Sequence, residues 1–184
     1  MRGRTRLHND RLPGIVGEIV LTFGSLEHRI EFFINQMTIQ RNLERGEREP
    51  TPTYSGVIRD RLKLLQTLIS DLSDGDEDLL DAFRDIRLKI VAVSQIRGRI
   101  AHGRISREID DDEVVAIQSL RDKQDLMDEL ADPSLTEGQR RSLMKIFNGT
   151  SYTFDRLIEI SDEIWAVSGE LADLLHPIIA RPSS

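Results

Sequence analysis

The sequence predicts an all-α protein, an up-and-down bundle of four to five helices with a small inserted β-hairpin. Apolar residues recur at helical spacing in several long segments. Only 5% of residues are aromatic, and the chain holds only 12 Gly and 6 Pro, fewer than strand-rich sandwiches and barrels need. With 184 residues the chain can bury a full core. We expect a flexible N-terminal tail over residues 1–13 and a single helical domain over residues 14–180.

Apolar residues spaced three and four apart predict the first two helices. The first stripe covers residues 16–37, and its helix is expected to end within residues 41–53, where charges, a glycine and two prolines predict a loop. The second stripe covers residues 54–72 and is closed by Gly75. The carboxylates around Gly75 are expected to cap the helix that follows.

The third helix carries apolar residues over 79–101 and is expected to stop at Gly103, which suits a C-terminal cap. Residues 104–118 then alternate apolar and polar side chains on either side of three aspartates. This alternation predicts a two-stranded hairpin, which must lean on the helices because an isolated hairpin is only marginally stable.

The C-terminal third contains one weak and one strong helix signal. Within residues 121–150 a short helix is predicted, opened by Thr136 in capping-box spacing. The last helix has an apolar stripe over 154–175 that includes Ile158 and Trp165, and Pro177 is expected to stop it.

Charge and composition exclude several kinds of site. A net charge of −7 argues against a surface coated for DNA, although a local basic site stays open. Without cysteine the chain has no disulfide and no thiolate nucleophile. No phosphate loop, zinc-spaced histidine pair or calcium loop occurs, so we expect no cofactor and no metal. Neither a signal peptide nor a membrane-spanning run is recognisable, and the expected location is cytoplasmic.

The cations are concentrated in one stretch. Between Arg84 and Arg107 there are seven Arg or Lys residues and a single Asp. Arg97 and Arg104 lie seven residues apart, which would put them on one face if the helix ran on. Such a face suits a polyanion such as RNA. The alternative, favoured on charge alone, is a solvated helix end whose cations suit the dipole and pair with the five acids within 108–113.

Two charged residues fall on helix faces that should be buried, Glu27 in the first helix and Arg97 in the third. A carboxylate and a guanidinium can satisfy each other through two hydrogen bonds, so one interpretation is that they pair between these helices. In the alternative interpretation each lies at the edge of the bundle and reaches water.

His102 is the candidate general acid or base beside these arginines, although a histidine in a last helical turn is also an ordinary partner of helix carbonyls. Five residues on a regular helix correspond to a rotation of about 140°, so Arg97 and His102 do not share a face. Their convergence would need a kink at Gly98, a loosened helix end or a second protomer.

The segment IRGRIAHGR, with Arg97 and His102 after an amphipathic helix, resembles the HEPN superfamily, named for higher eukaryote and prokaryote nucleotide-binding domains. The segment FGSLEHRI around Glu27 is similar to the first helix of that family, which often bears an acidic residue. The resemblance covers residues 14–104 and 153–175. Gly98 departs from the family, where a polar residue, often Asn, commonly follows the arginine.

The resemblance implies a homodimer that acts as a metal-independent endoribonuclease or RNA-binding protein of a toxin or defence system, with an antitoxin protein as a further partner. Two copies of the motif would face each other across the dimer axis. His102 would move protons while the ribose 2′-hydroxyl attacks the adjacent phosphate, and Arg97 would stabilise the charge developing on phosphorus. Glu27, Arg99 and Arg104 would support this site.

An alternative function is a non-catalytic helical dimer that serves as a protein-interaction module. Gly98 and the overall acidity motivate it. In this interpretation Arg97 and Glu27 are structural and His102 is a helix cap.

Overall fold

The computed structural model describes the backbone of residues 4–46, 56–107, 114–119, 131, 133–134, 136–138, 140 and 150–180. Side chains are described over residues 12–46, 56–101 and 152–180 and at the single positions from 131 to 140. Within these ranges lie α1 (Arg4–Arg45), α2 (Ile58–Leu72), α3 (Glu77–His102), β1 (Gly103–Arg107), β2 (Val114–Ser119), β3 (Thr150–Thr153) and α4 (Phe154–Ile179). The predicted helical-bundle class with an inserted hairpin is confirmed.

The chain forms two compact units. The sheet unit comprises Met1–Val20 and Gln95–Ser161, and the helical unit comprises Leu21–Ser94 and Asp162–Ser184. Helices α1, α3 and α4 each contribute residues to both units. The expected single domain over residues 14–180 stays a prediction.

The core of the helical unit is built from the apolar stripes that the spacing predicts. Side chains three and four residues apart lie on one side of a helix, so each stripe can be buried as a whole. The buried members include Phe23, Leu26, Ile30 and Phe33 of α1, Leu62, Leu65 and Ile69 of α2, Phe83 and Ile90 of α3, and Ile164, Leu171 and Leu175 of α4.

Side-chain caps begin two of the helices. The Leu79 N–H donates a hydrogen bond of 3.1 Å to Oδ1 of Asp76 at the start of α3, which confirms the predicted carboxylate cap. At the start of α4 the Arg156 N–H donates to Oγ1 of Thr153 over 3.1 Å. Each cap satisfies one of the main-chain donors that a first helical turn leaves unpaired.

Two of the described helices contain a proline, and both differ from the predicted helix bounds. α1 begins at Arg4 and contains Pro13, so residues 4–13, expected in the flexible tail, are helical. α4 continues through Pro177 to Ile179, and the prediction that this proline stops the helix is wrong. A proline removes its own N–H from the helix ladder, and its ring crowds the carbonyl four residues earlier. The helical turn after Pro177 is nevertheless closed by the Ala180 N–H, which donates to the His176 carbonyl over 3.0 Å.

The hairpin predicted at residues 104–118 is confirmed, but it belongs to a larger sheet. β1 pairs antiparallel with β2, and β2 pairs antiparallel with β3, which puts β2 in the centre. The third strand, β3, was not predicted. β3 has only four residues, too few for alternation to be visible in the sequence. The aspartates expected at the hairpin turn, Asp110–Asp112, lie outside the described residues.

The remaining sequence signals have mixed outcomes. Ile158 and Trp165 are 49% and 52% exposed, so the prediction that both belong to the core stripe is wrong. Each follows a fully buried neighbour, Leu157 or Ile164, and adjacent residues point about 100° apart around a helix. Of the short helix predicted near Thr136, residues 137, 138 and 140 are helical, and its other residues lie outside the described part.

Candidate functional site

The candidate site lies where α3 passes directly into β1. Arg97 and Arg99 occupy the last two turns of α3, His102 is its last residue, and Arg104 is the second residue of β1. Ile100 is 2% exposed and anchors this end of the helix in the protein. Because β1 begins at Gly103, the candidate residues follow one another without an intervening loop.

The two arginines of α3 differ in their access to water. Arg97 is half-buried, and its Nε atom is out of contact with solvent. Arg99 is exposed. The half-burial of Arg97 agrees with its place on the apolar stripe after Val93, which is 4% exposed. The guanidinium group of Arg99 is therefore hydrated before a phosphate binds, whereas that of Arg97 is already partly desolvated.

Gly98 does not interrupt α3, which runs as one α-helix from Glu77 to His102. At 3.6 residues per turn, the backbone positions of Arg97 and His102 are about 140° apart around the helix axis. The helix has no break at Gly98 that would bring Arg97 and His102 together. The side chain of His102 lies outside the described residues.

The condition for aligning Arg97 with Arg104 on one helix face, a helix that runs on past Gly103, is not met. The helix ends at His102, and Arg104 pairs with Gln118 in the antiparallel β1–β2 ladder. In a strand the side chains alternate with a period of two, so the helical spacing of seven residues no longer relates these positions.

Glu27 lies half-buried in α1, within the helical unit, whereas Arg97 belongs to the sheet unit. The pairing of Glu27 with Arg97 stays a prediction. Both residues share the intermediate burial expected of charged side chains on the margin of an apolar stripe.

The first three side chains of the predicted cationic stretch have partners inside the helical unit. The pairs are Arg84 with Asp81, Arg87 with Gln66, and Lys89 with Glu170, at donor–acceptor distances of 2.6, 2.7 and 2.7 Å. Sequence reasoning missed the partners on α2 and α4, because helical spacing defines faces but not which residues of two helices meet. The candidate residues Arg97, Arg99 and Arg104 lie in the later part of the stretch.

Within the described residues, no group of three or more His, Asp or Glu side chains is placed to hold a metal ion. None of the described helices combines the length and the apolar character needed to cross a membrane. The chemistry that these residues can offer is that of guanidinium groups, which recognise phosphate through charge and paired hydrogen bonds.

Comparison with known proteins gives no relative for this chain. No protein-family model, no curated protein and no solved structure matches it.

Proposed function

We propose that this chain is an RNA-binding protein of HEPN type that cleaves RNA as a metal-independent endoribonuclease and acts as a homodimer. The observation that supports it is the end of α3, where half-buried Arg97 and exposed Arg99 are followed by His102 at the last helical position. An anion bound at Arg97 meets a guanidinium group, and His102 is a residue type that transfers protons near neutral pH.

The proposed reaction is an intramolecular transesterification. The ribose 2′-oxygen attacks the adjacent phosphorus as its proton is taken, and the bond to the 5′-oxygen of the next nucleotide breaks as that oxygen is protonated. The products are a 2′,3′-cyclic phosphate and a 5′-hydroxyl. His102 carries the proton transfers, a role that contributes roughly 10²- to 10⁴-fold to a rate. Arg97 stabilises the negative charge that develops on the phosphoryl oxygens.

A homodimer reconciles this chemistry with the geometry of α3. Arg97 and His102 of one chain are about 140° apart on a continuous helix, so they do not converge within that chain. A twofold axis would let His102 of one protomer act with Arg97 of the other. We further propose a toxin or defence context in the cytoplasm, where an antitoxin protein holds the activity in check.

The direct test is incubation of purified protein with RNA in EDTA. The wild type is expected to release fragments with cyclic phosphate ends, and His102→Ala and Arg97→Ala are expected to abolish cleavage. Arg84→Ala is the matched control, since Arg84 pairs with Asp81 on the exposed side of α3. Equal RNA integrity with the wild type and His102→Ala, together with no binding by either, would refute the proposal.

A mixing experiment tests whether the site is shared between protomers. Equal amounts of the Arg97→Ala and His102→Ala proteins are unfolded together and refolded. Half of the dimers then combine the two chains, and each of those has one intact shared site, so about a quarter of the wild-type activity should return. No recovery, with heterodimers present, would contradict a shared site.

The second candidate function is the non-catalytic interaction module, which the half-burial of Arg97 favours. If this guanidinium serves the fold, Arg97→Ala should lower the denaturation midpoint strongly. An unchanged midpoint with lost RNA cleavage would instead support the ribonuclease.

A further inference from the structure

An exposed face of α1 within the helical unit lacks the charges that cover most of this protein. The face, called the α1 stripe here, consists of Leu21, Ser25, His28, Phe32, Gln36, Ile39 and Leu43. All seven side chains are exposed. None is Asp, Glu, Lys or Arg, although these types make up 31% of the sequence. At 3.6 residues per turn the seven positions fall within an arc of about 80°, so they form one continuous stripe.

The α1 stripe also concentrates exposed apolar surface. Leu21 is 73% exposed, Leu43 65%, Ile39 52% and Phe32 42%. These are four of the eight large apolar side chains that are exposed among the described residues. Single exposed apolar residues are ordinary, but an aligned series on one helix is typical of a surface that is covered by a partner.

The spacing of positions along the stripe is symmetric about Phe32. Successive positions are separated by four, three and four residues on each side of it. In an antiparallel pairing of two copies with the twofold axis at Phe32, Leu21 of one copy would lie opposite Leu43 of the other. Ser25 would meet Ile39, and His28 would meet Gln36. Apolar residues thus face apolar residues at the centre and at both ends.

We infer that the α1 stripe is the surface through which two copies of this chain associate, antiparallel and with the twofold axis at Phe32. A twofold interface joins the same patch on both copies, so any charge in it near the axis would face its own kind. An uncharged stripe avoids this repulsion, which matters for a chain with a net charge of −7. Spacings of three and four residues are those of helices that pack along a common seam.

The size of the stripe sets the expected strength of association. The helix rises about 33 Å from Leu21 to Leu43, and the contact is one helix wide. This footprint is smaller than the roughly 800 Å² per partner of a standard stable interface. The dimer is therefore expected to dissociate reversibly, with the monomer visible at low micromolar protein concentrations. A twofold axis at Phe32 of α1 and a site shared at the end of α3 need different contacts between copies, so the inference does not rest on the proposed function.

Sedimentation equilibrium on the purified protein, without RNA, tests the surface. Leu21→Glu combined with Leu43→Glu places carboxylates opposite each other in the pairing and should weaken the dimer by about 100-fold or more. The matched control is Leu88→Glu, because Leu88 is 65% exposed on α3 and lies outside the stripe. Phe32→Glu provides a second variant at the axis, and circular dichroism verifies that each variant is folded.

Cross-linking tests the antiparallel register, because the chain contains no cysteine of its own. Phe32→Cys should form a disulfide-linked dimer on oxidation. A mixture of the Leu21→Cys and Leu43→Cys chains should cross-link more efficiently than either chain alone, and Leu88→Cys should not cross-link. These measurements need no RNA, so failure of the surface and failure of the ribonuclease are separate results.

Several outcomes would overturn the inference. One is a wild type that stays monomeric up to the highest soluble concentration, including a monomer whose stripe binds a different protein or a membrane. A second is an association that the Leu21 and Leu43 double variant weakens no more than Leu88→Glu does. A third is self-cross-linking of the Leu21→Cys chain as efficient as its cross-linking to Leu43→Cys, which would indicate a parallel pairing.

Discussion

Nη1 of Arg29 on α1 donates a hydrogen bond of 2.8 Å to the backbone carbonyl oxygen of Ser168 on α4. Ser168 is 2% exposed, and Arg29 is half-buried. The contact joins two helices whose residues are 139 positions apart in the chain. A charged donor thus supplements the apolar packing within the helical unit.

Arg29→Met should lower the free energy of unfolding by about 1.5 kcal/mol, because it removes a hydrogen bond from a charged donor while the apolar stem is kept. Urea denaturation followed by circular dichroism measures the change. Arg59→Met is the control, since Arg59 is exposed on α2. Equal shifts of the midpoint in the two variants would show that the hydrogen bond to Ser168 does not contribute.

Two ion pairs of nearly equal length should differ in coupling energy because they differ in burial. Arg61 and Glu31 lie 2.8 Å apart with side chains 14% and 35% exposed, and Lys89 and Glu170 lie 2.7 Å apart with side chains 52% and 42% exposed. Double-mutant cycles should give a coupling of about 1 kcal/mol for the first pair and less than about 0.5 kcal/mol for the second. Added salt should reduce the coupling of Lys89 with Glu170 more. The reverse order of couplings would contradict this prediction.

The core of α3 can be tested with two substitutions on the same helix. Phe83 is 0% exposed, so Phe83→Ala should lower the free energy of unfolding by about 3–5 kcal/mol through lost burial and a cavity. Leu88→Ala should change it by no more than about 0.5 kcal/mol, since Leu88 is 65% exposed. Chemical denaturation measures both values. A large loss at Leu88 would indicate that this side chain is covered in solution.

Alanine should have opposite effects at two glycines. Gly75, after α2, has a φ of +75°, which alanine rarely adopts, so Gly75→Ala should destabilise the protein by about 1 kcal/mol. Gly98 is helical and has open space where a Cβ would be, so Gly98→Ala should stabilise it by about 0.5–1 kcal/mol. Thermal denaturation gives the sign of each shift. Destabilisation by Gly98→Ala would mean that α3 needs the flexibility of this residue.

The periodicity of the sequence was sufficient to predict the helices, because a buried stripe is a local pattern. Phe83, Ile86, Ile90 and Val93 are all at most 7% exposed, as their spacing predicts. The same pattern does not resolve the edge of a stripe. Trp165 is a large apolar residue of the kind found in cores, but its side chain points about 100° away from that of Ile164 around the helix axis. About half of the Trp165 side chain is therefore exposed.

Contacts between helices were beyond prediction from the sequence. The cluster of cations between Arg84 and Arg107 is evident in the sequence, but the carboxylate of Glu170 that holds Lys89 is 81 residues away. Only packing brings such residues together. The position of Arg97 and His102 at the end of α3 was predicted correctly, whereas Arg104 left the helical register because β1 begins at Gly103.

The chain passes from α3 into β1 without a loop that could change in length. Loops normally absorb insertions and deletions, but none separates His102 from Gly103. One residue inserted in the final turn of α3 would rotate the residues that follow it by about 100° around the helix axis relative to those that precede it. One residue inserted in β1 would turn the side chains that follow it to the opposite face of the sheet. The helix and the strand together therefore fix the number of residues between Arg97 and Arg104. Insertions and deletions in homologous sequences should occur outside this segment.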